Sequence, residues 1–369
     1  MKVVLVSCFD YYEQRMKGLI EYFKSRGHDV EYLITDYNHF SKSVYKVDYK
    51  CSKQIHVIPY SKNISPQRLI SHYMFSKRVV SEIRKIKPDV IYCVIPPNSL
   101  VKHLGLYKRR NKNVKLAFDI YDSWPESFPN KNPNVIMRKA FKIWASLRDN
   151  YIKDADLLIS VSKSSKEDLE AKYKKETSVL MPTISVGEIP NYHFNVKDRI
   201  SFCYLGHVNY ITDVDLGTKI LSGVAKEKRV ELHIIGEGQN KEQWVKTLTE
   251  NGINVICHGV VFDTNKKNEI FEQCDMGLNI PRPEIQSTMA LKSVEYMKVG
   301  LPFVNSGLGD NEELVRSCNI GVNVKDGDIV RRLASLSQDE LTLMHNNSIQ
   351  CYQERFVCQD YDGILSRLL

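Results

Sequence analysis

One segment in the second half of the chain, NIPRPEIQSTMALKSVEYMKVGLPFVNS, combines cations, a carboxylate and a predicted helix start. Its first apolar residues predict a strand, and the spacing that follows predicts a helix beginning near Ser287 or Thr288. The amides of a first helical turn attract anions, and Arg282 and Lys292 add positive charge. These groups could hold a diphosphate without a metal ion. Glu295, three residues after Lys292, could accept hydrogen bonds from the two vicinal hydroxyls of a ribose. The alternative is a surface helix whose Lys and Glu are only solvated.

Glycines at successive strand ends indicate the same kind of site. Gly206 follows the apolar run RISFCYL, and Gly236 and Gly238 follow VELHII. Glycine in such a turn lets backbone amides approach a phosphate. Two other nucleotide sites are disfavoured, because no Gly-x-Gly-x-x-Gly follows the first strand and no Gly-x-x-x-x-Gly-Lys-Ser/Thr loop occurs.

The elements that must position these residues alternate between strand and helix. Apolar runs such as KVVLVSC and DVIYCVI are separated by helix-periodic segments, and the alternation lapses over 183–199 before it restarts. This pattern predicts an α/β fold with two doubly wound, Rossmann-like domains facing a cleft. We expect domains over 1–185 and 186–350, and a C-terminal helix over 351–369 that packs back towards the first domain. Ligands bind at the carboxyl ends of strands in such sheets, so the cleft is the expected site.

The net charge of +8 is distributed unevenly over the 369 residues. Residues 1–185 contain 33 Lys and Arg against 19 Asp and Glu, whereas the remaining residues contain 19 against 25. A basic half predicts an anionic partner: nucleic acid, an anionic membrane surface or a phosphorylated substrate. Nucleic acid is disfavoured because no recognisable binding motif accompanies the charge. The basic segment 66–88 could lie on a membrane, or it is an amphipathic packing helix with a solvated face.

Cysteine usage and hydropathy predict a cytoplasmic protein. The nine cysteines include no Cys-x-x-Cys pair, which favours reduced thiols over disulfides or a zinc site. No apolar run approaches the ~18 residues of a membrane span. The first residues are typical of a strand and not of a signal peptide.

The segment LKSVEYMKVGLPFV resembles the donor-binding helix of GT-B glycosyltransferases, in particular the retaining family 4 type. YLGH, LHIIGEG, CHGVV and CDMGLNI are similar to successive elements of that donor domain, in the expected order. FDIYDSWPESF is similar to a segment of the family 4 subgroup that builds bacterial surface polysaccharides such as capsule, O-antigen and exopolysaccharide. The resemblance implies a retaining transfer from a nucleotide diphosphate sugar to a lipid-linked or oligosaccharide acceptor, with no metal or other cofactor, and family frequency favours UDP.

The resemblance also implies donor-binding roles. Glu295 would hold the donor ribose, and Lys292 would lie near the phosphates. Gly206 would belong to the loop on the phosphate side. The backbone at Val260 and Val261 would lie against the nucleobase.

The chain departs from the family pattern at several positions. Ser287 stands where many members have a glutamate that contacts the donor sugar. His207, also a candidate general base, replaces the usual arginine, and Asp213 lies near the usual lysine position. Arg282 would then supply the missing charge. Tyr121 occupies the place of a histidine in the first-domain site.

The first domain is expected to hold the acceptor. Asp119, Asp122 and Glu126 lie at or just beyond the end of the predicted strand VKLAFDI, where carboxylates could orient sugar hydroxyls. We therefore predict them as catalytic residues, and Trp124 as a residue that stacks on a sugar. Tyr121 and His103 complete the predicted acceptor site, with His103 as a candidate base. The alternative is a structural loop anchored by its prolines.

Surface polysaccharide units are built on polyprenyl diphosphate at the inner leaflet. The resemblance therefore implies a polyprenyl-diphosphate-linked sugar acceptor and a peripheral position on the inner face of the cell membrane, through the basic first domain. Two other functions stay open. One is a UDP-N-acetylglucosamine 2-epimerase of the same architecture, against which the charge asymmetry argues. The other is a non-catalytic homologue that acts as scaffold for a partner transferase, which the departures from the pattern favour.

Overall fold

The computed structural model describes residues 1–369 except 40, 48–49, 63–64, 127–133, 183–188, 191 and 286–288. The chain divides into two compact units. The first unit comprises Met1–Met181 together with Asp360–Leu369, and the second comprises Pro182–Gln359.

The first unit is a parallel sheet covered by helices. Its strands are β1 (Lys2–Ser7), β2 (Asp29–Thr35), β3 (Ser52–Ile55), β4 (Val90–Ile95), β5 (Lys115–Ile120), β6 (Leu157–Ser160) and β7 (Thr177–Val179). Its helices from the first part of the chain are α1 (Glu13–Ser25), α2 (Pro66–Ile86), α3 (Asn98–Arg110), α4 (Val135–Asp149) and α5 (Lys163–Tyr173). The strand order is β3-β2-β1-β4-β5-β6-β7. All six residues of β4 are buried, as expected for a central strand with helices on both faces.

The second unit repeats this plan with six strands. They are β8 (Arg199–Leu205), β9 (Arg229–Ile235), β10 (Asn254–Gly259), β11 (Met276–Asn279), β12 (Phe303–Asn305) and β13 (Gly321–Asn323), in the order β10-β9-β8-β11-β12-β13. Its helices are α6 (Val214–Val224), α7 (Lys241–Glu250), α8 (Thr264–Phe271), α9 (Leu291–Val299), α10 (Asp310–Cys318), α11 (Ile329–Ala334) and α12 (Gln338–Tyr352). Both sheets are parallel and doubly wound, which confirms the predicted fold class.

The last ten residues belong to the first unit. They form α13 (Tyr361–Leu365) and a short 3-10 turn. Leu365 is fully buried in the core of that unit. Asp362 accepts hydrogen bonds from the Tyr22 hydroxyl at 3.1 Å and from Arg26 at 2.6 Å, both on or beside α1. The chain end is therefore held by apolar burial and by an ion pair.

No helix within the described ranges is both long enough and apolar enough to cross a bilayer.

Candidate active site

Helix α9 is fixed to the sheet of the second unit by Tyr296. The Tyr296 hydroxyl accepts a hydrogen bond from the Leu205 amide at 2.9 Å and donates to the Cys203 carbonyl at 3.1 Å. Both partners lie on β8, and the Tyr296 ring is fully buried. This anchor fixes the helical face that carries Lys292 and Glu295.

Lys292 places its ammonium at the carboxyl end of β8. Its Nζ atom lies 4.0 Å from the centroid of the Tyr204 ring, and a Cβ atom added to Gly206 would be 3.7 Å from it. The aromatic face stabilises the cation, but no carboxylate among the described residues forms an ion pair with it. An unneutralised cation beside a half-buried glycine at a strand end is an arrangement that can receive a phosphate.

The glycines after β8 and β9 pack backbone against backbone. Gly236 has a φ of 143°, and a Cβ atom there would lie 2.1 Å from the Gly206 carbonyl oxygen. No residue with a side chain fits this position. The Gly236 amide donates to the Gly259 carbonyl at 2.7 Å, which joins the end of β10 to the same edge. Glycine is therefore required where the ends of β8 and β9 meet.

Glu295 is held by two lysines. Its Oε1 atom is 3.2 Å from Lys267 Nζ of α8, and its Oε2 atom is 3.3 Å from Lys298 Nζ one turn later on α9. Lys298 is buried and Lys267 nearly so. Both carboxylate oxygens are thereby oriented before any ligand binds.

For the nucleotide donor that the sequence predicts, we expect replacement of Lys267 by methionine to raise KM about tenfold and to leave kcat nearly unchanged. A hydrogen bond to a charged group contributes about 1.5–3 kcal/mol, and its loss would free Glu295 to rotate. Steady-state kinetics with varied donor concentration measure both constants. Lys266→Met is the matched control, because Lys266 is exposed on the same helix. An unchanged KM in Lys267→Met would remove Lys267 from the site.

The start of α9 differs from the prediction. The helix begins at Leu291 and not near Ser287 or Thr288, and both of those residues lie outside the described ranges. Ala290 precedes the helix and offers no side-chain cap. Lys292 is therefore in the first turn, where a cation opposes the helix dipole.

Arg282 lies towards α6. Its Nη2 atom is 3.7 Å from Asp215 Oδ2, and its side chain lines a cavity together with residues of α6 and α7. Among the described residues, Arg282 has Asp215 as its ion-pair partner and Lys292 has none, and the predicted sharing of a diphosphate between these two cations stays a prediction. Asp213, near the family's usual lysine position, caps α6 by accepting a hydrogen bond from the Leu216 amide at 3.0 Å.

His207 and Val260 lie at the exposed ends of β8 and β10. The His207 side chain is exposed, while its carbonyl accepts a hydrogen bond from the Tyr204 hydroxyl at 3.0 Å. Val260 is 51% exposed, and the nearby Phe262 is 79% exposed. Phe262 was not singled out from the sequence, because the sequence does not show that an aromatic residue after β10 is exposed.

In the first unit, Asp119 is enclosed by its own domain. Its Oδ2 atom is 3.3 Å from Arg15 Nε and accepts a hydrogen bond from the Tyr92 hydroxyl at 2.6 Å. Burial raises the pKa of Asp119, although the Arg15 charge and the Tyr92 hydrogen bond act in the opposite direction. A fully buried carboxylate does not contact a substrate, so the structure argues against the predicted catalytic role.

Arg15 also orders Tyr121. Its Nε atom donates to the Tyr121 hydroxyl at 2.9 Å. Burial raises the pKa of Tyr121 to about 12, so the phenol stays protonated at neutral pH. Tyr121 is therefore a neutral, positioned hydroxyl at the end of β5.

A buried arginine on α4 holds the DSWPE segment. Arg148 donates to the Trp124 carbonyl at 2.8 Å and to Glu126 at 2.6 Å. Partial burial acts to raise the pKa of Glu126, but the hydrogen bonds and charges of Arg148 and Lys172 outweigh it and lower the pKa. Glu126 is thus an anchoring carboxylate and a poor candidate for a base. Asp122 is partly exposed and accepts a hydrogen bond from the Trp124 indole.

His103 does not join this group. It lies on α3 in a groove of about 980 Å³ that Asp89 and Val114 also line. Those residues precede β4 and β5, whereas Trp124 follows β5, so His103 lies at the opposite edge of the sheet. Burial, and then nearby lysine and arginine charges, lower the pKa of His103. The structure therefore places His103 in this groove and not beside Trp124, and its role in an acceptor site stays a prediction.

Three charged residues that organise both sites were missed by the sequence interpretation: Arg15, Arg148 and Lys267. Arg148 lies four residues after Trp144 on the same helical face, and a charge at an apolar position was the available signal. Arg15 is a second charged residue at a buried position of a helix, next to the buried Met16 on α1.

Within the described ranges, no group of three or more His, Cys, Asp or Glu side chains could hold a metal ion.

Two family models match the chain, one over most of each unit. The model described as Glycosyltransferase Family 4 matches residues 13–183, and the model described as Glycosyl transferases group 1 matches residues 199–339. No curated protein sequence matches this chain at a significant level.

Several solved structures are similar over the full length. The lipopolysaccharide outer core galactosyltransferase WaaB, in its apo form, is 15% identical with a TM-score of 0.63, and 100% of each chain is covered. Anabaena HepE in complex with UDP-glucose is 15% identical with a TM-score of 0.63, covering 100% of this chain and 98% of that one. Sucrose-phosphate synthase from Thermosynechococcus elongatus is 12% identical with a TM-score of 0.70, covering 100% and 97%. At these identities the likeness shows the fold alone.

Proposed function

The chain is a glycosyltransferase of the GT-B fold, and we propose that it transfers a sugar, with retention at the anomeric carbon, from a UDP-sugar to a polyprenyl-diphosphate-linked saccharide of a bacterial surface polysaccharide. The observation that carries the proposal is Lys292. Its ammonium lies in the first turn of a helix, where the dipole disfavours it, and beside Gly206 with no carboxylate partner among the described residues. A bound diphosphate would offset the repulsion between Lys292 and the helix dipole, and it would supply the missing counter-charge.

The chemistry follows from the charge that develops. The bond between the anomeric carbon and the diphosphate oxygen breaks, and the acceptor oxygen bonds to that carbon. The acceptor proton passes to an oxygen of the leaving phosphate. Lys292, together with the first amides of α9, would stabilise the negative charge as it forms, which is electrostatic catalysis. We propose that these groups do so without a divalent metal.

On the donor side, Glu295 would accept hydrogen bonds from the ribose hydroxyls. Its two lysine partners support this role, because they orient the carboxylate in advance. The exposed Val260 and Phe262 would lie against the base. HepE is described in complex with UDP-glucose, which supports UDP as the nucleotide here as well.

On the acceptor side, Asp122 is the carboxylate best placed to orient a hydroxyl. It is partly exposed, whereas Asp119 is enclosed and Glu126 is engaged by Arg148. Tyr121 would add a neutral hydroxyl. We therefore assign Asp122 the positioning of the acceptor.

Titration with UDP, GDP and inorganic phosphate tests the proposal. We expect UDP alone to raise the melting temperature of the second unit, since binding to the folded state stabilises by mass action. A panel of UDP-sugars should then show slow hydrolysis of one donor. A response to none of these nucleotides would favour the scaffold, and interconversion of UDP-N-acetylglucosamine with its 2-epimer would favour the epimerase.

We also propose a peripheral position on the inner face of the cell membrane. The basic residues of the first domain support it, because polybasic surfaces are attracted to anionic lipid. Co-sedimentation should be stronger with vesicles containing anionic lipid than with neutral vesicles, and it should weaken as salt is added. Equal binding to neutral vesicles would contradict the proposal.

A further inference from the structure

The first unit contains an apolar pocket beside Trp124. It has a volume of about 240 Å³ and lies between the start of α2 and the face of α4. Its apolar walls are formed by Leu69, Pro97, Trp124, Met137, Phe141 and Trp144. A cavity of roughly 150 Å³ with such walls already binds benzene in another protein, so hydrocarbon of this scale can enter here.

The pocket is preformed. The Trp124 carbonyl accepts hydrogen bonds from Asn98 at 2.7 Å and from Arg148 at 2.8 Å, and both donors are buried. The Trp124 and Trp144 rings lie 5.5 Å apart. Because the backbone behind the indole is fixed from two sides, the opening does not depend on a bound ligand.

The surface around the pocket exposes further apolar side chains. On α4, Ile136 is 79% exposed and Ile143 is 68% exposed, and on α2 Ile70 is 54% exposed. Exposed basic residues, Arg138, Lys139 and Lys142, lie between them on α4. Large exposed aliphatic residues mixed with lysine and arginine are typical of helices that lie in a lipid interface.

We infer that this pocket holds the hydrocarbon chain of the lipid-linked acceptor, an inference that rests on the proposed function. The chain would enter from the bilayer across α4 and contact the two indoles. Arg68 at the pocket lies 5.8 Å from the Trp124 ring and adds positive charge near the diphosphate of that lipid. Trp124 then contacts lipid and not a sugar face, which revises its predicted role.

The test is calorimetric titration of the full chain with farnesyl diphosphate, with inorganic pyrophosphate as the head-group control. We expect farnesyl diphosphate to bind at least about tenfold more tightly than pyrophosphate, because methylene groups leave water. Ala140→Phe, which fills the pocket at its rim, should weaken farnesyl diphosphate binding about tenfold. Leu69→Asp should do the same, and its half-exposed position keeps the fold intact if Ala140→Phe does not fold.

Ile136→Ser is the matched control on the same helix, because Ile136 does not line the pocket. It should retain farnesyl diphosphate binding and lose vesicle binding. Equal affinity for pyrophosphate and farnesyl diphosphate, or unchanged affinity in both pocket variants, would overturn the inference. Titration of the same preparations with UDP measures binding at the donor site separately. If UDP binds and farnesyl diphosphate does not, the inference about the pocket is wrong and the proposed function is unaffected.

Discussion

Replacement of Lys292 by alanine should lower kcat for sugar transfer by about 10²-fold or more. The Lys292 ammonium lies beside Gly206 and has no carboxylate partner among the described residues, so the leaving diphosphate would be its counter-charge. Loss of one electrostatic stabiliser of a developing anion costs other enzymes about 10²–10³ in kcat. The effect should fall on kcat more than on KM, because negative charge on the leaving oxygen grows towards the transition state.

Two variants make this measurement specific. Lys292→Arg keeps the charge and should recover part of the rate. Lys246→Ala is the control, because the Lys246 side chain on α7 is 70% exposed. This variant should have the wild-type rate. Initial rates with saturating donor, together with a melting curve for each variant, separate lost catalysis from lost folding. Wild-type turnover in Lys292→Ala would refute the assignment.

The two-unit architecture could be predicted because it depends on short-range patterns. Strands buried on both faces appear in the sequence as continuous apolar runs, as VIYCVI does for β4. The same rule overextends one strand. The apolar run QIHVIPY, residues 54–60 of the sequence, predicts a strand to its end. In the structure β3 stops at Ile55, and Val57 and Tyr60 are buried without strand pairing. An apolar run reports burial and does not by itself report hydrogen bonding to a neighbour.

The roles of the carboxylates were harder to predict because their partners are distant in sequence. Asp119 is paired with Arg15, more than a hundred residues earlier, and Glu126 with Arg148 on a later helix. From the sequence, a carboxylate at a strand end is equally suited to a substrate hydroxyl and to a buried arginine. The arrangement on α9 was easier to predict, because Lys292 and Glu295 lie three residues apart and Tyr296 next to them fixes their face.

The partners of Asp119 lead to the largest stability effect expected in the first unit. Replacement of Arg15 by leucine should lower the free energy of unfolding of that unit by about 3–5 kcal/mol, because it leaves a fully buried carboxylate without its cation. Chemical denaturation of a Trp244→Phe background measures this, since the remaining tryptophans, Trp124 and Trp144, both belong to the first unit. Arg26→Leu is the control, because it breaks the solvent-exposed ion pair of Arg26 with Asp362. It should lower the free energy of unfolding by at most about 1 kcal/mol.

The pH dependence of the Arg15→Leu effect identifies the buried charge as its cause. Burial already raises the pKa of Asp119, and loss of the Arg15 charge raises it further. The folded variant then binds a proton that the unfolded chain does not, so its stability falls as pH rises through that raised pKa and recovers as pH falls. The destabilisation should therefore shrink under mildly acidic conditions. The double variant Arg15→Leu with Asp119→Asn should be more stable than Arg15→Leu at neutral pH and lack the pH dependence. If the loss of stability is the same at neutral and mildly acidic pH, and the same in Arg15→Leu and in the double variant, the cause is packing around the Arg15 side chain.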